Sequence, residues 1–250
     1  MSILINKKSK IIAIPFAGGN RYSFDKIEKH ILQDFEWITL ELPGRGSRFS
    51  EHLLNNISDM VDDLYRNIQT HIKAGDYVLY GHSMGTLLGY ELIKKLIKNG
   101  LKLPICLFFT GRGAPQFSRF TSKKSVLAQD PFWKEINKIG GMPKDILSQK
   151  DLLDLYYPIL RNDFEAVENY VYTKMKTPFS IPLYIILGDE ELGEVGEKTR
   201  MHEMKAWVNE TDANCSFEII PGDHFFVLKE AKTIAQKIMN VFEVRSLAMI

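Results

Sequence analysis

The residues Gly81-His82-Ser83-Met84-Gly85 form a G-x-S-x-G pattern, the spacing that holds a serine as a nucleophile on a sharp strand-to-helix turn. A random chain of 250 residues would show such a match roughly once in ten, so the context carries the weight. The apolar run 77–80 precedes it directly, and Leu87, Leu88, Tyr90, Leu92 and Ile93 follow at helical spacing. Glycines flank the serine because a side chain at either place would collide with the neighbouring strand and helix. A serine hydroxyl is a weak nucleophile and needs a base, itself oriented by an acid.

Six histidines are available. His30, His52, His71 and His202 fall on expected helices or among polar residues, and His82 is expected to pack beside the strand. His224 follows the last apolar run, in Pro221-Gly222-Asp223-His224-Phe225-Phe226, and leads into a helix expected over 227–242. A parallel sheet would present a base to Ser83 from there. In this chemistry the acid lies between serine and histidine in chain order, and the turn Gly188-Asp189-Glu190-Glu191 offers three carboxylates. The spacing Gly-x-x-acid selects Glu191, while Asp189 competes because aspartate is the commoner residue in the role; both stay open. Two backbone amides must face the developing oxyanion. Met84, after the nucleophile, supplies one, and Ala17, in the slim loop Phe16-Ala17-Gly18-Gly19, supplies the other.

The elements that position these residues follow from the hydropathy pattern. Apolar runs at 11–14, 37–42, 77–80, 105–110, 183–187 and 216–220 each end at glycine or proline. Runs apolar at every position suit strands covered on both faces. Between them lie helical patterns such as Ile57, Met60, Val61, Leu64, Tyr65 and Ile68. The expected fold is α/β, a mostly parallel sheet with helices on both faces. The stretch 115–172 has no buried strand pattern and reads as a helical insertion capping the site. No repeat or linker divides the chain, so one domain over 1–250 is expected.

Composition narrows the class. Residues are 45% hydrophobic and 25% charged, with 32 Lys plus Arg against 31 Asp plus Glu. That balance gives no overall field to gather nucleic acid or anionic lipid. Lys7-Lys8-Ser9-Lys10 reads as a solvated lead-in to the first strand. No signal-peptide pattern stands at the start, and the longest apolar runs are far short of the ~20 residues that span a bilayer. Cys106 and Cys215 lack a C-x-x-C spacing and are expected as reduced thiols in a cytoplasmic protein.

With these motifs in place, the chain resembles the stand-alone (type II) thioesterases of nonribosomal peptide and polyketide synthetases, in the α/β-hydrolase superfamily. The resemblance rests on Pro15-Phe16-Ala17-Gly18-Gly19, Glu41-Leu42-Pro43-Gly44-Arg45-Gly46, the serine motif, Gly111-Arg112-Gly113-Ala114-Pro115, Gly140-Gly141-Met142-Pro143, Leu160-Arg161-Asn162-Asp163-Phe164 and Gly222-Asp223-His224-Phe225-Phe226. It implies hydrolysis of acyl, aminoacyl or peptidyl thioesters on the phosphopantetheine arm of carrier proteins, by a monomer without metal or dissociable cofactor. The insertion would then be a mobile lid. Basic residues at the rim, Arg45, Arg48, Arg112, Arg119, Lys123 and Lys124, would meet the acidic carrier. The chain departs from the family in having Glu191 where aspartate is usual and Asp223 where glycine is usual, the latter a further carboxylate beside His224. A general carboxylesterase or lipase would share the same serine, histidine and acid.

Overall fold

The computed structural model describes residues 8–117, 122–140 and 149–247, with side chains through residue 243. Six parallel strands, β1 (Ser9–Ile14), β2 (Phe35–Thr39), β3 (Tyr77–His82), β4 (Cys106–Thr110), β5 (Leu183–Gly188) and β6 (Cys215–Ile220), stand in the order β2-β1-β3-β4-β5-β6. The helices are α1 (Asp25–Glu28), α2 (Ile57–Ile68), α3 (Met84–Lys98), α4 (Gln129–Ile139), α5 (Lys150–Glu168), α6 (Met201–Lys205), α7 (Phe226–Lys229) and α8 (Ala231–Leu247). This is the parallel sheet expected from the apolar runs.

Strand side chains alternate between two cores, which explains runs apolar at every position. Ile12, Ile14, Leu79, Leu107 and Phe109 pack beneath α2 and α3. Ile11, Ala13, Val78, Tyr80 and Phe108 pack on the other face, against α7 and α8. A smaller core joins α4 to α5 through Phe132, Trp133, Ile136 and Leu160, and it reaches Ala17. Of the motif Gly140-Gly141-Met142-Pro143, only Gly140 lies within the described residues.

Two boundaries differ from expectation. β2 stops at Thr39 rather than continuing to residue 42. Leu40 N–H still reaches Ala13 C=O (2.8 Å), but the buried Glu41 then turns its carboxylate to the amides of Arg21 and Ser47 (both 2.8 Å), and Pro43 has no N–H to offer. The helix expected over 227–242 is two helices, because Glu230, at φ −95° and ψ 31°, leaves the helical region between them.

The chain leaves β1 towards β2 on one side and returns to β3 on the other, so the order reverses between β1 and β3. At such a reversal the loops beyond the strand ends diverge and leave a crevice. In register, Ile14 lies beside Gly81 and Gly188 beside Ile220. The loop carrying Ala17 therefore starts beside the serine turn, and the acidic turn starts beside the loop carrying His224.

Candidate active site

Ser83 stands between β3 and α3 at φ 57° and ψ −113°, and among the described residues it alone has a positive φ without being glycine. Such a backbone costs of order 1–3 kcal/mol and persists only where its surroundings enforce it. They do so here. Ser83 N–H donates to Thr110 C=O at 2.9 Å. The single O–H of Thr86 lies 3.0 Å from Gly81 C=O and 2.9 Å from Thr110 C=O, pinning α3 to the ends of β3 and β4. Both flanking glycines are sterically required. A Cβ on Gly81 would lie 2.6 Å from Gly85 C=O, and one on Gly85 only 2.0 Å from Ile14 C=O. Gly85→Ala must push α3 off β1, so we expect a stability loss of about 3 kcal/mol, at the upper end for overpacking, read by denaturant unfolding.

His224 links the other two groups. Its Nε2 lies 2.9 Å from Ser83 Oγ and its Nδ1 lies 2.6 Å from Glu191 Oε1. A carboxylate only accepts, so Nδ1 carries the proton and Nε2 presents its lone pair to the serine hydroxyl. The second oxygen of Glu191 accepts Gly188 N–H at 2.8 Å, which fixes the carboxylate plane. Asp189 faces elsewhere. Its Oδ1 accepts Gly222 N–H (2.8 Å) and so ties the acidic turn to the histidine loop. The two carboxylates left open by the sequence thus have separate roles: Glu191 touches the histidine and Asp189 braces the turn. Asp223 accepts Phe225 N–H (3.0 Å) and pairs with Lys229 (2.8 Å).

The Met84 amide opens α3 and has no acceptor there, as at any helix start. Among the described residues neither it nor the Ala17 amide has a hydrogen-bond acceptor, and both residues line the same cleft as Ser83. That cleft, of about 1170 Å³, is roofed by α4 and α5 through Ile136, Ile139, Leu160 and Phe164. It is large enough for an extended apolar group.

His82 is buried beside this machinery, with Nδ1 hydrogen-bonded to Thr110 Oγ1 (2.9 Å) and its ring 5.0 Å from that of His224. Burial, and then the neighbouring His224, push its pKa well below the ordinary 6.5. The imidazole therefore folds neutral, whereas the unfolded chain takes up a proton below about pH 6.5. Its contribution to stability is complete above that pH and is lost progressively below it. Between pH 6 and 5, wild-type unfolding free energy is expected to fall more steeply than that of His82→Asn, by up to about 1.4 kcal/mol per pH unit. Equal slopes in denaturant titrations would contradict a neutral buried His82.

The basic residues expected at the rim are mostly otherwise engaged. Arg45 is 2% exposed and paired with Asp163, Lys124 is buried and paired with Glu197, and Arg48 is held by Asp63 and Glu51. Each cation is paired with a carboxylate, Asp163 on α5 for Arg45, Asp63 on α2 for Arg48 and Glu197 for Lys124, so none of the three is a free surface charge. Arg112 lines the cleft, its pKa pushed down to about 10 by burial. Lys123 is exposed and donates to Asn169, and Arg119 lies outside the described residues. The rim instead carries both signs, Lys138, Lys198 and Arg200 among Glu135, Glu190 and Glu203.

Spacing did not point to Thr86, Thr110, Glu41 or Asp163 as supports. Two signals were present. Glu41 sits between buried Leu40 and Leu42, and Asp163 interrupts the apolar face formed by Leu160, Ala166 and Val167. An acid on a buried face requires partners.

A family model described as "Thioesterase domain" matches residues 9–241. Gramicidin S biosynthesis protein GrsT of Aneurinibacillus migulanus is 30% identical over 220 residues, which are 88% of this chain and 83% of that protein. The human medium-chain S-acyl fatty acid synthase thioesterase is 29% identical, over 96% of this chain and 89% of its own. The crystal structure of ClbQ from the colibactin NRPS/PKS pathway superposes with a TM-score of 0.89 at 28% identity, covering 97% of this chain and 100% of that one.

Proposed function

Because this chain belongs to the thioesterase family, with the α/β-hydrolase fold, we propose that it is a stand-alone editing thioesterase of secondary-metabolite biosynthesis. Its substrates are acyl, aminoacyl or peptidyl groups on the phosphopantetheine arm of carrier proteins. The observation that carries the reading is the hydrogen-bonded line from Ser83 through His224 to Glu191, opening into an apolar-roofed cleft. On this reading the enzyme works as a monomer in the cytoplasm beside the synthetase it serves.

Ser83 Oγ attacks the thioester carbonyl carbon while its proton passes to His224 Nε2, and Glu191 stabilises the imidazolium so formed. The amides of Met84 and Ala17 receive the negative charge that develops on the carbonyl oxygen. The intermediate collapses by breaking the C–S bond, and the pantetheine sulfur leaves with the proton held by His224. Water, deprotonated by the same imidazole, then attacks the acyl-serine, and the carboxylic acid departs as the proton returns to Ser83. Every step uses protein groups and water.

Thioesters suit this site because their carbonyl gains little resonance stabilisation and thiolate leaves readily. With an acyl-pantetheine and the matching oxygen ester, we expect kcat/KM to favour the thioester by at least about tenfold. Equal rates would favour a general carboxylesterase. A panel of acylated carrier proteins, beginning with acetyl and short chains, tests the partner. Carrier-bound acyl groups should be released faster than the same groups on free pantetheine, with the advantage shrinking as salt screens the contact.

A further inference from the structure

The loop that carries Ala17 is held from above by the helical insertion. Gly19 N–H donates to Phe16 C=O (2.9 Å), and Gly18 sits third in this turn at φ +76°. With Ala17 at negative φ, that is a type II turn, which differs from type I by a flip of its central peptide. The N–H of that peptide, on Gly18, donates to Asp163 Oδ2 at 2.7 Å. Asp163 lies on α5 and is fully buried. Its carboxylate also receives Arg45 in a bidentate pair, Nη1 to Oδ2 at 2.6 Å and Nη2 to Oδ1 at 2.8 Å. Leu160, nearly one turn earlier on α5, covers Gly18 so closely that a Cβ there would lie 2.7 Å from Leu160 Cδ2.

We propose that Asp163 is a positioning residue for oxyanion stabilisation: by accepting the Gly18 N–H it anchors the turn, and so holds the neighbouring Ala17 N–H in place at the reacting carbonyl. The proposal rests on the hydrolase reading of this site. Arg45 aims the Asp163 carboxylate through its bidentate pair, and a charged acceptor makes the bond to Gly18 strong. A flip of the central peptide would turn Ala17 C=O onto the carboxylate and Gly18 N–H away from it, so the carboxylate fixes that peptide and with it the place of the loop at Ala17. The oxyanion site is thus complete only while α5 is seated on the loop. A pair kept solely to anchor α5 would not need its oxygen on Gly18.

The test separates the acceptor from the ion pair. Arg45→Met with Asp163→Leu exchanges the buried pair for apolar groups of similar size, a change often tolerated in folding, but leaves Gly18 without an acceptor. Arg45→Gln with Asp163→Asn removes both charges yet keeps a carbonyl oxygen for Gly18. Rates are taken per folded molecule, measured by near-UV circular dichroism, on a thioester and on its matching oxygen ester. An oxyanion donor is worth about 100- to 1000-fold in kcat. We expect the Met/Leu variant to lose about 30- to 300-fold in kcat on either substrate, with KM within threefold and the acid limb of the pH profile unmoved. The Gln/Asn variant should stay within about fivefold of wild type. A Met/Leu variant within threefold of wild type, or equal losses in both variants, overturns the role. A wild type that hydrolyses the ester but not the thioester would instead overturn the thioesterase reading, and leave the role of Asp163 to be decided on the ester.

Discussion

Replacing Ser83 with alanine is expected to lower thioester turnover by about a million-fold while leaving the fold in place, the scale seen when a triad nucleophile is removed. The side chain makes one hydrogen bond, to His224, whereas the backbone bond from Ser83 N–H to Thr110 C=O does not depend on it. Alanine inherits the same positive φ, so its thermal midpoint should match wild type. Ser83→Gly should be as inactive but more stable by about 1–2 kcal/mol, because glycine alone adopts this backbone at little cost. Steady-state hydrolysis and thermal melts read both effects together. Undiminished turnover by either variant would remove Ser83 from the mechanism.

The second large effect distinguishes two carboxylates that stand two residues apart. Glu191→Ala is expected to lower kcat by about 1,000- to 10,000-fold, since the imidazole loses the partner that fixes its tautomer and stabilises its charged form. Asp189→Ala should cost no more than about fivefold in kcat. It removes only the acceptor for Gly222 N–H, so its expression is a loss of about 1 kcal/mol in stability. His224→Ala should match Ser83→Ala, and combining it with Glu191→Ala should add little, because the acid acts through the histidine. A larger loss from Asp189→Ala than from Glu191→Ala would reverse the assignment.

The sheet was legible in the sequence because a parallel strand buried on both faces cannot hide its apolar run. Tyr77 to Tyr80 and Leu183 to Leu187 are apolar at every position for that reason. The serine and histidine were legible because each sits at the punctuated end of such a run. The acid was not settled, because Asp189, Glu190 and Glu191 differ only in where a short 3₁₀ turn points each side chain. That Arg45 and Arg48 are engaged by carboxylates was not legible, because composition counts a cation without showing its partner. Arg45 and Asp163 are 118 residues apart in sequence, and nothing local joins them. The early end of β2 has the same origin, a carboxylate on Glu41 whose acceptor sites are filled by residues from other loops.

The placement of the helical insertion has an evolutionary consequence. β4 and β5 are neighbours in the sheet, with Thr110 beside Ile186, so the connection between them leaves and re-enters at adjacent points. Doubling the length of such a connection adds only about 0.6 kcal/mol of closure entropy. Ser83, Glu191 and His224 all lie outside it. The roof of the cleft can therefore lengthen, shorten or be exchanged between relatives while the chemistry beneath stays constant, provided that an acid remains where Asp163 stands. A chimera that carries another enzyme's insertion, with an acid kept where Asp163 stands, should take on that enzyme's choice of acyl chain.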